Sequence, residues 1–435
     1  MKRIRQGVYV TTALVSMVLL SVFLSHRLFQ KEIRREQSDI ESKLPEGKYL
    51  PDADNPMIRV VIKNNGFAQA FHNEVVFNAA NGLIIKMGDT QIEIEEGASF
   101  ALKPNAEEFK TGSVWIMPKV ETDRIVVNTL SRGYGVPSYR GTFELFSTAE
   151  GIVMVNELPA EEYLYAVVPS EMPASYEPEA LKCQAICARS YAYCQMLTFA
   201  YPEYSAHVDD STSFQVYGNS KEQESTNQAI KDTAGQRLWY RGNVVKTYYY
   251  STSCGKTTSI EAWGTEPKLD NQYLCSVNVC TKEGEDYEKE LPWYRWEAVM
   301  PQALLSDLIE LNTGKEIGKL QNVTVTKRGP GDIALQITAK GTKGTIVVDT
   351  ENKIRKALGG EGYQIKKQDG SLVKSGKLLP SAFFTIEKNG ENYIIKGGGY
   401  GHGIGMSQNG AHEMAKTGKT YEEILTFFYP GTKVR

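Results

Sequence analysis

The sequence predicts an α+β fold, with a β-rich, multi-lobed body around one central helix and a single transmembrane helix at the amino terminus. Three observations support this prediction. Short apolar runs alternate with Asn-Gly turns from 57 to about 120, which is typical of β-strands joined by tight turns. Between 178 and 195, apolar residues recur at helical spacing, at Leu181, Ala185, Ala188 and Ala192. An uncharged apolar stretch, 8–24, follows three basic residues at the start of the chain.

The apolar stretch predicts the compartment. It is long enough for a short membrane span, and no small-residue cleavage site follows it before Arg27. We therefore expect 1–25 to be an uncleaved signal anchor and 26–56 to be a charged, proline-containing juxtamembrane linker. The alternative is a cleaved signal peptide. Both place the body outside the cytoplasm, and the anchor predicts a single-pass protein of the cell membrane.

Length and charge limit the domain organisation and the partners. A chain of 435 residues exceeds a usual single domain. We expect an accessory β domain at 57–122 and a second domain at 123–435, with an inserted β-rich lobe at about 297–395. The net charge of -3 provides no general basic character for binding nucleic acid. Nucleic acid is therefore not an expected partner.

Three of the six cysteines predict core positions, and none of the six predicts a metal centre. Those at 183, 187 and 194 lie along the predicted helix, where i, i+4 spacing keeps the Cβ atoms too far apart for a disulfide. Cys254, Cys275 and Cys280 lie in loop-rich sequence, where a disulfide between the last two stays open. No histidine stands near these three at a usual ligand spacing, so no zinc site is expected.

A carboxylate between two prolines is the main candidate for chemistry. Pro169 and Pro173 each fix φ and restrict the preceding residue, so the segment predicts a stiff, tight loop that presents Glu171 between a strand and the helix. Partial burial against Met172 and the alanine face of the helix would raise the pKa of Glu171 toward neutrality. That environment suits a general acid. The alternative is a carboxylate that only accepts hydrogen bonds from backbone amides where the helix starts.

Two runs of sequence resemble one known family. Residues 163–193 read YLYAVVPSEMPASYEPEALKCQAICARSYAY, and 399–411 read GYGHGIGMSQNGA. The first run is similar to the S-E-M-P, E-A-L-K-x-Q-A and A-R-(S/T)-Y core of the stage II sporulation protein D (SpoIID/LytB) family. The second is similar to the G-H-G-x-G-M-S-Q-x-G-A signature of the same family. The two runs are unrelated to each other and occur in the family's order. A chance match to both motifs does not explain this.

The resemblance implies a peptidoglycan lytic transglycosylase that cleaves the MurNAc–GlcNAc bond of glycan strands stripped of their peptides, alongside a cell-wall amidase. Ordinary glycosidases need two carboxylates, whereas Glu171 alone stands out here. In the implied reaction the muramic acid 6-hydroxyl attacks its own anomeric carbon, and Glu171 acts first as acid and then as base, giving a 1,6-anhydro product. The candidate glycan contacts are Gln215, Tyr217, Ser251, His402, Ser407 and Gln408.

The resemblance also bears on cofactors and on rival functions. Some relatives carry a cysteine immediately before Q-V-Y and bind a metal there, whereas Phe214 stands in its place here, so we expect neither a metal nor another cofactor. Asp209 and Asp210, just before this run, are expected to form a solvated turn rather than to supply a second catalytic acid. Two alternatives to catalysis remain. One is a non-catalytic glycan-binding enhancer of an amidase, and the other is a structural scaffold for engulfment.

Overall fold

A computed structural model describes residues 55–435 of the chain. Within that range, every helix is too short or too polar to cross a bilayer. The predicted signal anchor, 1–25, lies outside the described residues, as does nearly all of the predicted linker, 26–56.

The described range contains both helices and sheets, which confirms the predicted α+β class. Its seven α-helices are α1 (Ala160–Glu171), α2 (Pro178–Gln195), α3 (Glu224–Asp232), α4 (Gln302–Thr313), α5 (Glu351–Leu358), α6 (Gln408–Lys416) and α7 (Tyr421–Phe428). The strands are β1 (Met57–Ile62), β2 (Phe71–His72), β3 (Val75–Asn78), β4 (Leu83–Met87), β5 (Thr90–Ile94), β6 (Phe100–Leu102), β7 (Val114–Pro118), β8 (Ile125–Val127), β9 (Ser138–Tyr139), β10 (Thr142–Thr148), β11 (Gly151–Pro159), β12 (Val208–Asp209), β13 (Leu238–Tyr240), β14 (Asn243–Val244), β15 (Tyr249–Tyr250), β16 (Trp296–Pro301), β17 (Leu320–Arg328), β18 (Ala334–Gly341), β19 (Thr345–Asp349), β20 (Gln364–Lys367), β21 (Leu372–Lys374), β22 (Phe384–Asn389), β23 (Asn392–Gly397), β24 (Met406–Ser407) and β25 (Lys433–Val434).

The largest sheet combines strands from both sides of the expected domain boundary. It has eight strands, with the order β12-β1-β11-β10-β7-β4-β5 and with β2 also paired to β11. β1 lies antiparallel to β11, from Met57 opposite Pro159 to Ile62 opposite Met154. β11 is buried along almost its whole length, because its alternate side chains pack into two clusters on opposite faces of the sheet, with Met154 in one and Val153 and Val155 in the other. The segment 57–122 therefore shares a sheet with 142–159, and the expected boundary near 122 falls between two strands of that sheet.

Helix α2 lies between the two large hydrophobic cores of the protein. Ala185 and Ala188 belong to the core that includes the eight-stranded sheet. Ile186 and Cys187 belong to the core of the second half of the chain. Pro178 begins the helix without the loss of a hydrogen bond, and small side chains allow its neighbours to approach closely. α2 therefore occupies a central position from which it can fix both halves of a site.

A second lobe follows in the sequence. The five-stranded sheet β21-β20-β16-β23-β22 and the three-stranded sheet β17-β18-β19 are built only from strands between Trp296 and Gly397. Buried apolar residues of α4 and α5 join the second core, Leu305 and Ile354 among them. These sheets occupy the range in which the sequence predicts an inserted lobe, and β23 leads directly into the glycine-rich segment 397–405.

The carboxy-terminal segment packs back onto the middle of the chain. Thr420 and Glu423 form the predicted capping box at the start of α7. β25 pairs with β13, and β24 lies parallel to β15 with Ser407 opposite Tyr250. This pairing holds the glycine-rich motif beside the strand that ends at Tyr250.

Candidate active site

Glu171 is the last residue of α1, so the predicted proline-bounded loop is wrong. The helix includes Pro169, and a proline inside a helix costs about 3 kcal/mol. After Glu171 the backbone becomes extended at Met172, with φ -131° and ψ 136°. Burial of apolar side chains offsets the cost of the proline, and these are Tyr163, Leu164, Val167 and Val168. The end of a packed helix, rather than a stiff loop, therefore fixes the carboxylate.

A cleft of ≈ 320 Å³ opens beside Glu171. In the part of the chain that the structure describes, Glu171 is the sole carboxylate among its lining residues. The other lining residues are mainly aromatic and hydroxyl side chains: Tyr191, Thr212, Ser213, Phe214, Gln215, Thr247, Tyr248, Tyr249, Trp263 and His402. The fold thus brings three of the predicted site residues, Glu171, Gln215 and His402, to one cleft.

Burial raises the pKa of Glu171 from 4.5 to about 7. Desolvation is the main cause, because surroundings of low polarity disfavour the charged form. Two hydrogen bonds to the carboxylate oppose this effect. The Val216 N–H donates to Oε1 at 2.6 Å, and the Tyr249 hydroxyl also hydrogen-bonds to the side chain. Because this pKa is close to neutral, both protonation states of Glu171 are populated near pH 7. The side chain is only half-buried and therefore stays open to the cleft.

Gln215 uses its amide to hold Tyr249. Its Nε2 donates to Tyr249 Oη at 3.1 Å and to Ala188 O at 3.4 Å. Its Oε1 accepts from Tyr163 Oη at 3.4 Å. Gln215 therefore positions the tyrosine that contacts Glu171. Sequence reasoning missed Tyr249, whose only signal was its place in the run of three tyrosines before Ser251.

Gln408 connects the carboxy-terminal motif to the end of α1. Its Nε2 donates to the backbone carbonyl of Glu171 at 2.8 Å and to Gln184 Oε1 at 3.2 Å. Gln184 lies on α2 and is completely buried. Gln408 is therefore hydrogen-bonded to the backbone of Glu171 and does not line the cleft. This bond satisfies one of the carbonyls that a helix leaves unpaired at its end.

Ser407 caps α6 and contacts a buried glutamate. Its Oγ accepts from Gly410 N at 3.2 Å and donates to Glu288 Oε1 at 2.8 Å. The Ser253 N–H donates to the same Oε1 at 2.9 Å, and the Ser253 hydroxyl donates to Oε2. Burial raises the pKa of Glu288 to about 7. Glu288 therefore ties the turn after β15 to the start of α6, and no motif in the sequence marks it.

His402 lines the cleft as a neutral imidazole. Its Nδ1 accepts from Ile404 N at 3.1 Å, so the proton lies on Nε2, which donates to Tyr249 O at 2.9 Å. Desolvation lowers the pKa of His402 to about 3. Its ring packs against Trp263, with the centroids 5.1 Å apart. Because both nitrogens are used within the protein, His402 offers the cleft a ring surface and no free proton-transfer group.

Tyr217 and Ser251 do not line the cleft. The Tyr217 ring stacks on Tyr163 at 4.9 Å, and its hydroxyl donates to Asn156 Oδ1 at 2.7 Å. The Ser251 carbonyl accepts from Asn409 Nδ2 at 3.0 Å. Four of the predicted contacts therefore lie in the packing around the cleft: Tyr217, Ser251, Ser407 and Gln408.

The solvated turn expected at Asp209 and Asp210 is wrong. Their exposed fractions are 1% and 0%. Asp210 Oδ2 accepts from Arg132 Nη2 at 2.7 Å, and the Lys63 N–H donates to its Oδ1 at 3.1 Å. Asp209 Oδ2 accepts from Tyr201 Oη at 2.6 Å. These partners allow both carboxylates to be buried, and neither carboxylate lines the cleft.

The described residues include no group of histidine, cysteine, aspartate or glutamate side chains that could hold a metal ion. Cys254, Cys275 and Cys280 are free thiols. Cys183 and Cys187 are fully buried on α2, and burial raises their thiol pKa values. Cys183 and Cys187 therefore serve packing in the second core.

Comparison with known proteins places the two halves of this site in known sequence families. A family described as stage II sporulation protein matches residues 148–240, which include Glu171. A family described as a domain of unknown function (DUF8618) matches 266–405, which include His402. The chain is 30% identical to the stage II sporulation protein D of Bacillus subtilis over 336 residues, covering 72% of this chain and 86% of that protein. The chain belongs to the stage II sporulation protein D family. The resemblance predicted from the two motifs is thus confirmed.

Two other relatives extend the comparison. The chain is 32% identical to an uncharacterized protein of Brachyspira hyodysenteriae over 299 residues, covering 68% of this chain and 72% of the relative. It is 31% identical to the amidase enhancer of Bacillus subtilis over 291 residues, covering 62% of this chain and 40% of the relative. Family members thus include proteins named for sporulation and one named for the enhancement of an amidase.

Proposed function

We propose that this member of the stage II sporulation protein D family acts on the cell wall during sporulation or cell-wall remodelling, as a lytic transglycosylase of denuded peptidoglycan. The observation that carries the proposal is a half-buried carboxyl group with a pKa of about 7 beside a cleft. Glu171 is the only carboxylate of the described chain in that lining. A single acid suffices when the substrate supplies its own nucleophile.

In the proposed reaction, protonated Glu171 donates its proton to the glycosidic oxygen as the bond between that oxygen and the MurNAc anomeric carbon breaks. The MurNAc 6-hydroxyl oxygen forms the new bond to the anomeric carbon, and its proton passes to the Glu171 carboxylate. Glu171 thus ends the cycle protonated, and no water enters the products. The intramolecular attack needs no second carboxylate to activate water.

The surroundings of Glu171 suit both steps. Burial keeps the proton on the carboxyl group at neutral pH in a large fraction of molecules. Once the proton has left, Val216 N–H and the Tyr249 hydroxyl stabilise the carboxylate through hydrogen bonds. The carboxylate can then act as the base.

The cleft offers suitable contacts for sugar rings. Thr212 and Ser213 present exposed hydroxyl groups at its edge. Tyr248 and Trp263 are half-buried there, with ring centroids 4.7 Å apart. Aromatic rings pack against the apolar faces of sugars, while hydroxyl groups bind their polar edges. We propose these four residues and the ring of His402 as the direct contacts, with Gln215, Tyr217, Ser251, Ser407 and Gln408 supporting them.

Product analysis tests the proposal. Wild type and Glu171→Gln are incubated with glycan strands stripped of peptides, and products are identified by mass spectrometry. We expect 1,6-anhydro-MurNAc ends from the wild type and a rate about 10²–10⁴-fold lower from the variant, because the acid is lost. Glu162→Gln, on the same helix but outside the cleft, is the matched control. Equal product release by Glu171→Gln and wild type would contradict the proposal.

The second candidate function is a non-catalytic enhancer, and the relative named amidase enhancer favours it. Such a protein binds glycan and stimulates a cell-wall amidase without shortening the strands. The two candidates differ in a combined assay with the amidase. An enhancer leaves strand length unchanged and keeps its stimulation in Glu171→Gln, whereas a transglycosylase shortens the strands and loses that effect in the variant.

We further propose that residues 1–25 anchor the protein in the cell membrane with its body outside the cytoplasm. The proposal rests on the apolar stretch 8–24 and the basic residues before it. Membranes from cells that express the full chain are washed at alkaline pH and probed for the protein. Retention in the membrane is expected, and complete release into the wash would contradict an anchor.

A further inference from the structure

A second, larger concavity lies in the second lobe, away from Glu171. It has a volume of ≈ 600 Å³. It lies at one end of the five-stranded sheet, where β16 and β22 begin and where β20 and β23 end. Trp296, Phe383 and Phe384 contribute to its lining and are almost fully buried. We call this concavity the lobe groove.

The lobe groove is strongly cationic, although the whole chain has a net charge of -3. Two carboxylates, Glu297 and Asp332, contribute to its lining, and each already has a cationic neighbour. Lys396 Nζ lies 3.9 Å from Glu297, and Arg328 Nε lies 3.6 Å from Asp332. Four further cations line the groove without an ion pair to any described residue: Lys256, Arg295, Lys366 and Lys367.

Strand register places two of the lysines on one face. Lys366 of β20 and Lys396 of β23 both lie opposite Glu297 of β16. Residues directly opposite each other project to the same face of a sheet, and the two lysines are separated by two strand spacings, or about 9.5 Å. Both are exposed. A repeating polyanion can therefore contact both at once, and Glu297 lies between them.

The lobe groove borders the same glycine-rich segment as the catalytic cleft. Gly398 lines the groove and His402 lines the cleft. Four residues of extended chain span at most about 14 Å, so the two concavities lie within reach of one oligosaccharide.

We propose that the lobe groove binds the carboxylates of the glycan strand whose neighbouring sugars occupy the cleft. The inference rests on the proposed function. A glycan stripped of its peptides carries a free lactyl carboxylate on every MurNAc, and is therefore a regular polyanion. Lysine and arginine side chains on an open surface bind such groups through electrostatic attraction, which weakens as salt is added.

Binding measurements test this inference in a Glu171→Gln background, which removes turnover. The test variant is Lys366→Glu with Lys396→Glu. The matched control is Lys340→Glu with Lys374→Glu, which makes the same change of charge at exposed lysines outside the groove. The probes are size-fractionated denuded glycan strands, the same strands with their carboxylates converted to methylamides, and inorganic polyphosphate.

We expect the test variant to bind long denuded strands roughly tenfold more weakly than the control at low salt, with a smaller difference at high salt. Methylamidated strands should bind both variants equally. Equal binding of denuded strands by the two variants would overturn the inference, and so would an equal loss on methylamidated strands. Groove-dependent binding of polyphosphate without groove-dependent binding of glycan would assign the groove to a phosphate polymer instead.

Two controls separate this result from other failures. Lys366→Ala with Lys396→Ala removes the charges without reversing them, and we expect a smaller loss of glycan binding from it. This variant replaces the charge-reversed one if the latter is unstable. Cleavage is measured separately with the wild type. Absence of anhydro products there would overturn the proposed function alone, whereas unchanged glycan binding by both groove variants would overturn the groove inference alone.

Discussion

Replacement of Glu171 by glutamine should stabilise the protein at high pH while it removes activity. The pKa of Glu171 is about 7 in the folded protein, compared with an ordinary value of 4.5. Below pH 4.5 both the folded and the unfolded states hold the proton, so ionisation contributes nothing to stability. As pH rises through 4.5, the unfolded state loses its proton first, and the free energy of unfolding falls until about pH 7.

The magnitude follows from these two pKa values. Their difference corresponds to at most about 3 kcal/mol of lost stability above pH 7. Glu171 keeps part of its surface exposed, so solvent screening reduces the effect, and we expect roughly half of that value. Glutamine cannot ionise, and its Oε1 can still accept from Val216 N–H. The variant should therefore be more stable than the wild type at pH 8, with the difference disappearing near pH 4.5.

Urea unfolding followed by tryptophan fluorescence, at several pH values from 4.5 to 8, measures this difference. Glu310→Gln is an informative control, because Glu310 accepts backbone N–H groups from Ile317 and Gly318 at 2.6 and 2.7 Å. Those bonds lower the pKa of Glu310 from its ordinary value of 4.5, so the cost of its replacement should stay nearly constant above pH 4.5 and shrink only at lower pH. A constant difference between Glu171→Gln and wild type across this range would refute the claim that burial raises the pKa of Glu171.

Two further substitutions test other parts of the structure. Tyr249→Phe removes a hydroxyl that lowers the pKa of Glu171, so the alkaline limb of the pH–rate profile of glycan cleavage should move to higher pH; an unmoved limb would contradict this role. Arg132→Met leaves the Asp210 carboxylate buried without its counter-ion and should cost about 3–5 kcal/mol of stability in urea unfolding, whereas Arg132→Met with Asp210→Asn should recover part of it. Equal stability of the single and double variants would show that charge burial is not the cause.

The site residues that could be predicted from sequence are those that lie within continuous sequence motifs. Glu171, His402 and the helix that includes Ala185 all belong to such runs, and the capping box at Thr420 follows from local spacing. Local patterns of this kind report interactions between near neighbours, which the sequence orders directly. The α+β class followed from the same patterns.

Helix α1 was missed because a local rule was applied where tertiary packing dominates. Pro169 argues against a helix, yet Tyr163 and Val167 bury apolar surface on one side of it. Two acids in the first turn, Glu161 and Glu162, were the signal that could have indicated a helix start.

The other misses depend on partners far away in the chain. Asp210 is buried because Arg132 reaches it across 78 positions, and no local pattern in the sequence reports that pairing. Tyr249 and Glu288 were missed for the same reason, because their contacts are with residues far away in the sequence. The pairing of β1 with β11 also joins segments about a hundred positions apart, which no local pattern reports.

The hydrogen bond from Gln408 to the Glu171 carbonyl crosses 237 positions of the polypeptide. A ribosome completes Glu171 long before it completes Gln408, and the His402 wall of the cleft also arrives late. A nascent chain therefore carries its acidic residue for most of synthesis without the surroundings that organise it. Early termination between Glu171 and His402 should yield a protein with an intact glutamate and an unfinished cleft. The cleft around Glu171 can therefore form only when translation of the chain is nearly complete.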